Sequence, residues 1–377
     1  MTGALECRTL SDKRELRAWF GLTDRLYADA PGFIPPLRQQ IRDFFEGKAP
    51  YLRSGEIEFL SVLRGDDVVA RTTAHTSSKL DAKLGRGHLL FGFTEFVEDD
   101  AVFSALAAAL TAKAREMGAE RLLGPVNLLP NQSGGVITSG FDKRGFVDSP
   151  YNLPYYPTFY EGHGFERLFE GATFIVDDGG PAPVEELFPF DNERIEREQL
   201  EVRKADRRRV SEQLPFIRQM LNASFAQLDY YTEIDADELA YQVDGLTYLL
   251  DERIALYLFK AGKPIAFVLC IPDISEFVRR INGNLNLVNQ VRLLLTRKRY
   301  RREAILVIKG TVPDEQGKDY MTLLNRELLR NFRAAGYRVG RGTFVETENT
   351  ASSSQADRMG GAPLHRITFY SRTVGRD

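Results

Sequence analysis

Two stretches of the same kind decide the fold of this chain: FLSVLRGDDVVARTTA at residues 59–74 and ALYLFKAGKPIAFVLCI at residues 255–271. In each of them, two apolar runs rich in strand-forming residues are joined by a short turn that contains glycine. This pattern is typical of a β-hairpin. Because one hairpin lies in each half of the 377-residue chain, we expect the same structural plan to occur twice.

The segments that follow each hairpin also come in the same order. A strand (88–97, or from Ala304) is followed by an apolar, periodic helix that ends at a glycine, Gly118 or Gly336. A second strand and a final glycine turn with a last strand then close each half. We therefore predict an α/β (α+β) protein of two tandem domains, each a mixed, mostly antiparallel sheet flanked by helices.

The boundary between the domains is expected in the stretch DDGGPAPVEELFPFDNE at 177–193, which has the Gly, Pro and acid content of a linker. This places an N-terminal domain at 1–190 and a C-terminal domain at 191–377. The charged run at 193–209 that follows is interpreted as a solvated connection, with phosphate binding by Arg207 to Arg209 as the alternative.

Composition excludes several functional classes. The chain is 43% hydrophobic and 27% charged with a pI near 6.0, which is ordinary for a globular protein and gives no bias toward nucleic acid. Cys7 and Cys270 are far apart, so neither a disulfide framework nor a zinc site is expected, and the four histidines have no metal spacing. No apolar stretch approaches the length of a membrane helix and the first residues do not resemble an export signal, so we expect a cytoplasmic protein.

The order of elements resembles the GNAT acyltransferase fold. In that family a loop after the fourth strand, with the pattern Gln/Arg-x-x-Gly-x-Gly/Ala, offers backbone amides at a helix N-terminus to the pyrophosphate of CoA. The stretch VPDEQGKD at 312–319 occupies this place in the second half, and the resemblance implies that Val312, Gln316, Gly317 and Lys318 bind the cofactor. Its acidic residues are electrostatically adverse. The corresponding stretch 96–100 has three acids and no glycine, so we expect no CoA in the first half.

A second stretch with a GNAT-like pattern lies in the first half. GNAT enzymes often carry Asn, then a Tyr, then Gly-Phe four residues after the Tyr, and the tyrosine protonates the departing thiolate. The chain matches with Asn152, Tyr160 and Gly164–Phe165, with one extra residue before the tyrosine, which implies that Tyr160 is the general acid. His163 precedes the Gly-Phe turn and could approach Tyr160, which makes it a further catalytic candidate; the alternative is a surface or structural histidine. The second half has Ala356 in place of the tyrosine, which suggests that chemistry and cofactor recognition are divided between the halves.

Three further runs resemble a bacterial group of tandem GNAT-like acyltransferases, some of which resemble the bacterial ceramide synthase. They are YADAPGFIPPL at 27–37, GPVN at 124–127, and GF at 140–141 followed by YNLPYY at 151–156. The resemblance implies transfer of a long-chain acyl group from acyl-CoA, a co-substrate rather than a permanently bound cofactor, to a lipid-like amine such as a sphingoid base. The alternative is a catalytically silent tandem GNAT-like protein that binds a small ligand or a partner.

Such a reaction needs a base, and Glu95 lies on the predicted fourth strand between aromatic residues, where GNAT enzymes often place one. Burial there would raise its pKa toward a useful range; the alternative is a structural carboxylate that faces solvent or accepts from a backbone amide.

The polar loop after residue 126 is the expected pocket wall, with Asn127, Asn131 and Ser133 as substrate-binding candidates together with Asn152 and Tyr156. The alternative is that these side chains only form hydrogen bonds with nearby backbone groups and bind no substrate.

The segment 279–302 combines many arginines with leucine and valine. A helix of this kind can lie on an anionic bilayer, so peripheral contact with the inner membrane is one expectation. The other is a helix packed on the core whose arginines face water or CoA phosphates.

Overall fold

A computed structural model describes residues 3–128, 133–177, 180, 182–244, 247 and 249–375. These residues form two compact units. Unit 1 contains the residues up to Gly171, the short piece Asp229–Thr232 and the C-terminal residues from His365; unit 2 contains Ala172–Leu228 and Glu233–Leu364. Within the described ranges, no helix is long and apolar enough to cross a membrane, and no cluster of side chains could hold a metal ion.

Unit 1 begins with a strand and two helices and then follows the predicted plan. Its elements, up to the strand that leads into unit 2, are β1 (Leu5–Thr9), α1 (Lys13–Leu26), α2 (Arg38–Phe45), a 3-10 helix (Pro50–Arg53), β2 (Ile57–Arg64), β3 (Asp67–His75), α3 (Ser78–Leu84), β4 (His88–Phe96), α4 (Asp100–Glu116), β5 (Arg121–Gly124), β6 (Val136–Ser139), α5 (Tyr156–Gly162) and β7 (Glu166–Asp177).

The first predicted hairpin is present as β2 and β3. Arg64 pairs with Asp67 across a turn in which Gly65 has φ +64°, a conformation that glycine adopts without strain. Strands β1 to β4 are antiparallel neighbours, whereas β4 and β5 run parallel from His88 to Leu90. Helix α4 packs against this sheet and buries, among others, Phe103, Leu106 and Leu110 in the core.

Unit 2 repeats the plan with extra helices. Its elements are α6 (Val184–Leu187), α7 (Asn192–Arg197), β8 (Leu200–Lys204), α8 (Val210–Phe225), α9 (Ala236–Asp244), a 3-10 helix (Glu252–Ile254), β9 (Ala255–Lys260), β10 (Lys263–Pro272), α10 (Ser275–Arg280), α11 (Leu287–Thr296), two 3-10 helices (Arg297–Tyr300 and Pro313–Glu315), β11 (Glu303–Thr311), α12 (Tyr320–Ala334), β12 (Val339–Glu346) and α13 (Thr350–Arg358); β13 (Ala362–Thr373) leads back to unit 1.

The second predicted hairpin is β9 and β10, joined at Ala261 and Gly262, and the sheet continues in the order β8, β9, β10, β11, β12. As in unit 1, the hairpin is followed by a parallel pair, β11 with β12. Tyr320, Leu323 and Leu324 of α12 are fully buried against this sheet.

Two segments that we interpreted as a linker and a solvated connection contain regular structure. Within the predicted linker, Phe188 is fully buried and packs with Val184 and Leu329. The charged run 193–209 contributes most of α7 and all of β8, which pairs with β9. Composition alone missed these elements because their few apolar residues are enough to bury one side of a short helix or an edge strand.

The last strand also lies where the sequence did not place it. We expected it to close the second half, but its residues from His365 onward belong to unit 1. There β13 pairs with β5, with Tyr370 opposite Gly124, and with β6, with Ile367 opposite Ile137. The grouping of the chain therefore differs from a simple division at residue 190, since unit 1 is completed by C-terminal residues.

Candidate active site

An irregularity in strand β4 shapes the candidate site of unit 1. Thr73 pairs with Gly92 and Arg71 with Glu95, so two residues of β4 stand opposite the single residue Thr72. Phe93, within this bulge, has φ +48°. Bulges of this kind redirect the side chains that follow them and are common beside active sites.

Glu95, just after the bulge, lies at the centre of a buried polar cluster. The hydroxyls of Tyr27 and Tyr156 each donate to its Oε2 at 2.6 Å. Its Oε1 lies 3.9 Å from the guanidinium of Arg71, the residue opposite on β3. About a tenth of the Glu95 side chain (11%) is exposed, against 2% for Arg71, so the carboxylate is the more accessible group of this pair.

Arg71 is held in place by Trp19. Its guanidinium lies 3.8 Å from the centre of the indole ring and donates to the Trp19 carbonyl at 3.2 Å. Burial lowers the pKa of Arg71 to about 10, which still leaves it charged at neutral pH. Burial raises the pKa of Glu95, while the charge of Arg71 and the two tyrosine hydrogen bonds act in the opposite direction. The cluster thus holds a carboxylate with a raised pKa that is suited to accepting a proton.

The three sequence runs that mark the bacterial group converge on β4. Tyr27 belongs to the first run and Tyr156 to the last, and both bind Glu95. Asn127, in the second run, accepts a hydrogen bond from the Phe93 amide of the bulge at 3.0 Å. Sequence reasoning missed two residues of the cluster, Tyr27 and Arg71. Tyr27 could have been found because it belongs to the first run. For Arg71 the sequence offers no signal beyond its position in the β2–β3 hairpin.

The predicted substrate-binding residues have internal partners. Asn127 donates to the hydroxyl of Ser133, which in turn donates to the Asp148 carbonyl. The amide of Asn152 accepts from Ile137 N at 2.6 Å and donates to Ile137 O. These contacts hold the described residues near β5 and β6 in place and leave substrate binding as a prediction. Asn131 lies outside the described residues.

Tyr160 is enclosed by aromatic rings. It is 1% exposed, stacks on Tyr370 with 4.7 Å between ring centres, and has Phe103 and Phe165 at its edges. Its hydroxyl finds no hydrogen-bond partner of good geometry among the described residues, and burial raises its pKa. To protonate a thiolate this phenol would have to become exposed, so its role as general acid stays a prediction.

His163 follows the end of α5. One ring nitrogen lies 2.9 Å from the Phe159 carbonyl and the other 3.4 Å from the Asp100 carboxylate. Both nitrogens are therefore engaged by groups other than the Tyr160 hydroxyl, as in a structural placement, and a catalytic role of His163 stays a prediction.

The helix that follows β4 has its N-terminus closed. The Asp99 side chain accepts from the amides of Ala101 and Val102 and pairs with Arg64 at 2.6 Å. The amides that a GNAT loop would offer to a phosphate are thus occupied by the protein's own carboxylate. This arrangement fits the expectation that unit 1 does not bind CoA through this loop.

The equivalent helix in unit 2 is different. Asp319, which precedes α12, makes no capping hydrogen bond with its side chain. Gly317 has φ +72° and open space around its Cα, so an anion can approach the backbone there. One of the three acids in this loop, Glu315, is paired with two lysines: Lys318 at 2.9 Å and Lys260 at 3.1 Å, which lower the pKa of Glu315.

The other predicted cofactor residues complete this loop. The amide of Val312 donates to the Ile265 carbonyl and fixes the start of the loop on β10. Gln316 donates to the Thr311 carbonyl at 3.0 Å, and Lys318 also donates to the Asp314 carbonyl at 2.7 Å. The loop is therefore preformed by internal bonds, and phosphate binding at it remains a proposal.

Sequence reasoning also missed Lys309, on β11. Its ammonium donates to Gln355 at 2.6 Å, and burial lowers its pKa to about 8. Gln355 also accepts from Asn325 of α12. An amine that is partly neutral near physiological pH can act as a base or a nucleophile. The sequence carries no signal for it, because a single lysine in a strand pattern does not reveal how its side chain is surrounded.

Proteins of similar sequence cover nearly the whole chain. Protein YghO of Escherichia coli (strain K12) is 23% identical over 372 residues, which is 97% of this chain and 95% of that protein. The bacterial ceramide synthase of Caulobacter vibrioides (strain NA1000 / CB15N) is 22% identical over 373 residues, 96% of this chain and 95% of the synthase. No family model matches the chain.

Solved structures confirm the fold class predicted from the sequence. A tandem GNAT protein from the clavulanic acid biosynthesis pathway aligns with a TM-score of 0.62 at 13% identity, over 99% of this chain and all of that one. A GCN5-related N-acetyltransferase from Sphaerobacter thermophilus aligns with a TM-score of 0.56 at 11% identity, over 100% and 98% of the two chains. The chain therefore has a tandem GNAT-like fold, and its sequence is similar to that of the bacterial ceramide synthase along nearly its whole length.

Proposed function

We propose that the chain is an acyl-CoA-dependent N-acyltransferase that moves a long-chain acyl group to a lipid-like amine, with a sphingoid base as the best candidate. The observation that carries the proposal is the Glu95 cluster, a carboxylate on the fourth strand of a GNAT-like unit that is held by two phenols and faces a buried arginine. The choice of amine draws on the resemblance to the ceramide synthase.

In this proposal Glu95 takes the proton from the ammonium form of the acceptor. The neutral amine then attacks the thioester carbonyl and the carbon–sulfur bond breaks. The nitrogen loses its second proton as the amide forms, and the departing CoA thiolate takes up one proton to leave as the free thiol. Tyr27 and Tyr156 hold the carboxylate in position, and Arg71 keeps it charged between turnovers. Because burial raises the pKa of Glu95, it is a better base than a solvated carboxylate.

Acyl-CoA is proposed to bind through its phosphates at the N-terminus of α12. The absence of a capping bond from Asp319, the open backbone at Gly317 and the pairing of Glu315 with two lysines support this assignment. A helix N-terminus attracts phosphate through its free amides and its dipole.

The test is release of free CoA from a long-chain acyl-CoA in the presence of a sphingoid base. Glu95→Gln keeps the shape of the side chain and accepts from both tyrosines but cannot take a proton, so we expect kcat to fall on the order of 100-fold or more. The matched control is Glu161→Gln, which removes a carboxylate from the same unit, and thermal melts of both variants show whether folding is intact. Unchanged turnover in a folded Glu95→Gln variant would remove Glu95 from the mechanism.

A catalytically silent protein is the second candidate, since Asp99 blocks one helix N-terminus and Tyr160 is enclosed. A ligand that binds only the folded state raises the melting temperature. No stabilisation by acyl-CoA and no CoA release would favour this candidate over the enzyme.

A further inference from the structure

Helix α11 of unit 2 exposes an apolar face. Of the eight large apolar side chains that are exposed in the described part of the chain, five belong to this helix of ten residues: Leu287 (78% exposed), Val288 (68%), Val291 (55%), Leu294 (41%) and Leu295 (81%). Apolar patches of this kind on a folded protein usually mark an interaction surface.

The five side chains share one side of the helix. Successive residues of an α-helix are about 100° apart, so these five fall within an arc of about 120°. Leu293, which is fully buried, lies on nearly the opposite side and attaches the helix to unit 2. The orientation is the reverse of that of an ordinary surface helix, whose apolar side faces the core. The apolar face therefore points away from its own unit.

The segment around this face is strongly basic. Residues 277–302 contain seven arginines and Lys298 and no aspartate or glutamate, which gives a charge of +8 in a chain whose net charge is −3. Arg280, Arg292, Lys298, Arg299 and Arg302 are all exposed. The segment that carries the apolar face thus also carries exposed cations, Arg292 on the helix itself and Lys298 and Arg299 in the 3-10 turn that follows. Arg280, in the preceding helix α10, pairs with Glu276 at 3.6 Å.

We infer that this face, defined by Leu287, Val288, Val291, Leu294 and Leu295, docks onto an anionic lipid bilayer. The apolar side chains would enter the boundary between headgroups and acyl chains, while the arginines contact lipid phosphates. Charge favours an anionic bilayer over a second copy of the chain, because a symmetric dimer through this face would bring two segments of +8 together. The inference concerns a surface of unit 2 and does not rest on the proposed function.

The experiment measures binding of the full-length protein to vesicles of phosphatidylglycerol and phosphatidylcholine in equal parts, by co-sedimentation. We expect binding that weakens with added salt and is much weaker with phosphatidylcholine alone. The triple variant Leu287→Gln/Val291→Gln/Leu295→Gln should need at least about tenfold more lipid for half-maximal binding, because binding strength follows the apolar area that enters the bilayer. The substituted side chains are exposed, so folding should be unaffected, which circular dichroism checks.

The matched control is Leu168→Gln/Met117→Gln, which removes two exposed apolar side chains from unit 1 and should leave binding unchanged. A second variant, Lys298→Gln/Arg299→Gln/Arg302→Gln, should weaken binding and reduce its salt dependence. Three outcomes would overturn the inference: no binding of the wild-type protein to anionic vesicles, equal binding of the triple variant, or a wild-type dimer in light scattering that the triple variant converts to a monomer.

Discussion

At the scale of single residues, Glu95 is a carboxylate whose acidity is set by three neighbours. Burial raises its pKa, and Arg71, Tyr156 and Tyr27 lower it by favouring the charged form. Each neighbour is therefore a positioning residue whose removal changes a measurable quantity, the pH at which the carboxylate becomes a base.

We predict that Tyr156→Phe moves the acidic limb of the kcat/KM profile to higher pH. The substitution removes a hydrogen bond to the charged form, so the pKa of Glu95 rises further and more alkaline solution is needed to deprotonate it. Tyr257→Phe, which removes the hydroxyl of a buried tyrosine in unit 2, is the control and should leave the profile unchanged. A profile that moves equally in both variants would contradict the assignment of Glu95 as the base.

Lys309 leads to a prediction about stability. Its pKa in the folded protein, about 8, is below the ordinary value of 10.5. Between these two pH values the unfolded chain binds more protons than the folded one, so this residue makes the folded state more stable as the pH rises through the window. Below about pH 8 the charged lysine is least well tolerated in the folded state.

We expect Lys309→Met to flatten this dependence. The free energy of unfolding in urea, measured at several pH values across the window, should rise less with pH in the variant than in the wild type. Lys298→Met, which removes an exposed lysine, is the control. If both variants follow the wild-type curve, Lys309 does not carry the depressed pKa.

At the scale of elements, the bulge in β4 is supported by a side chain from another segment. Asn127 accepts from the amide of Phe93, a residue with φ +48°. We predict that Asn127→Ala destabilises the protein by about 1–3 kcal/mol, because it leaves this amide without its partner. Ser133→Ala, which removes a more exposed partner of the same loop, should have a smaller effect in the same denaturation experiment.

The phosphate loop before α12 allows a matched pair of glycine variants. Gly317 (φ +72°) and Gly262 (φ +77°) both lie in open space in unit 2, so alanine at either position should be destabilising by about 1 kcal/mol. Only Gly317→Ala should also reduce the rise in melting temperature produced by acyl-CoA. An equal ligand response in the two variants would place the phosphates elsewhere.

At the scale of the whole molecule, unit 1 needs the far end of the chain. Ile367 and Tyr370 of β13 are fully buried in unit 1, and the strand pairs with β5 and β6. A fragment that ends at residue 190 lacks this strand. The edge of its sheet would therefore be unpaired, and its core would lack the apolar side chains that β13 buries there.

We predict that residues 1–190 alone show no cooperative thermal unfolding, and that fusing residues 362–375 to the fragment by a flexible linker restores it. The control is the same fusion with Ile367→Ser and Tyr370→Ser. Cooperative unfolding of the unfused fragment in circular dichroism would show that β13 is dispensable for unit 1.

The sequence alone determined the repeated order of hairpin, strand, helix and strand in the two halves, although it did not reveal α7 or β8. The hairpins at Gly65 and Gly262 and the helix ends at Gly118 and Gly336 have local causes, because glycine adopts positive φ without strain and apolar periodicity fits only one kind of element. The burial of Glu95 also followed from its strand, since its neighbours in the sequence are aromatic, whereas its role as a base stays a prediction.

Only the tertiary structure decided which elements meet. The pattern of β13 predicts a strand but not its sheet, because backbone hydrogen bonds have the same form with any partner. The cluster at Glu95 joins Tyr27 and Tyr156, which are 68 and 61 residues away in sequence, and Tyr160 is enclosed by Tyr370 from the other end of the chain. Local sequence specifies conformation through short-range sterics, whereas burial and proton affinity depend on groups that chain folding brings together from distant positions.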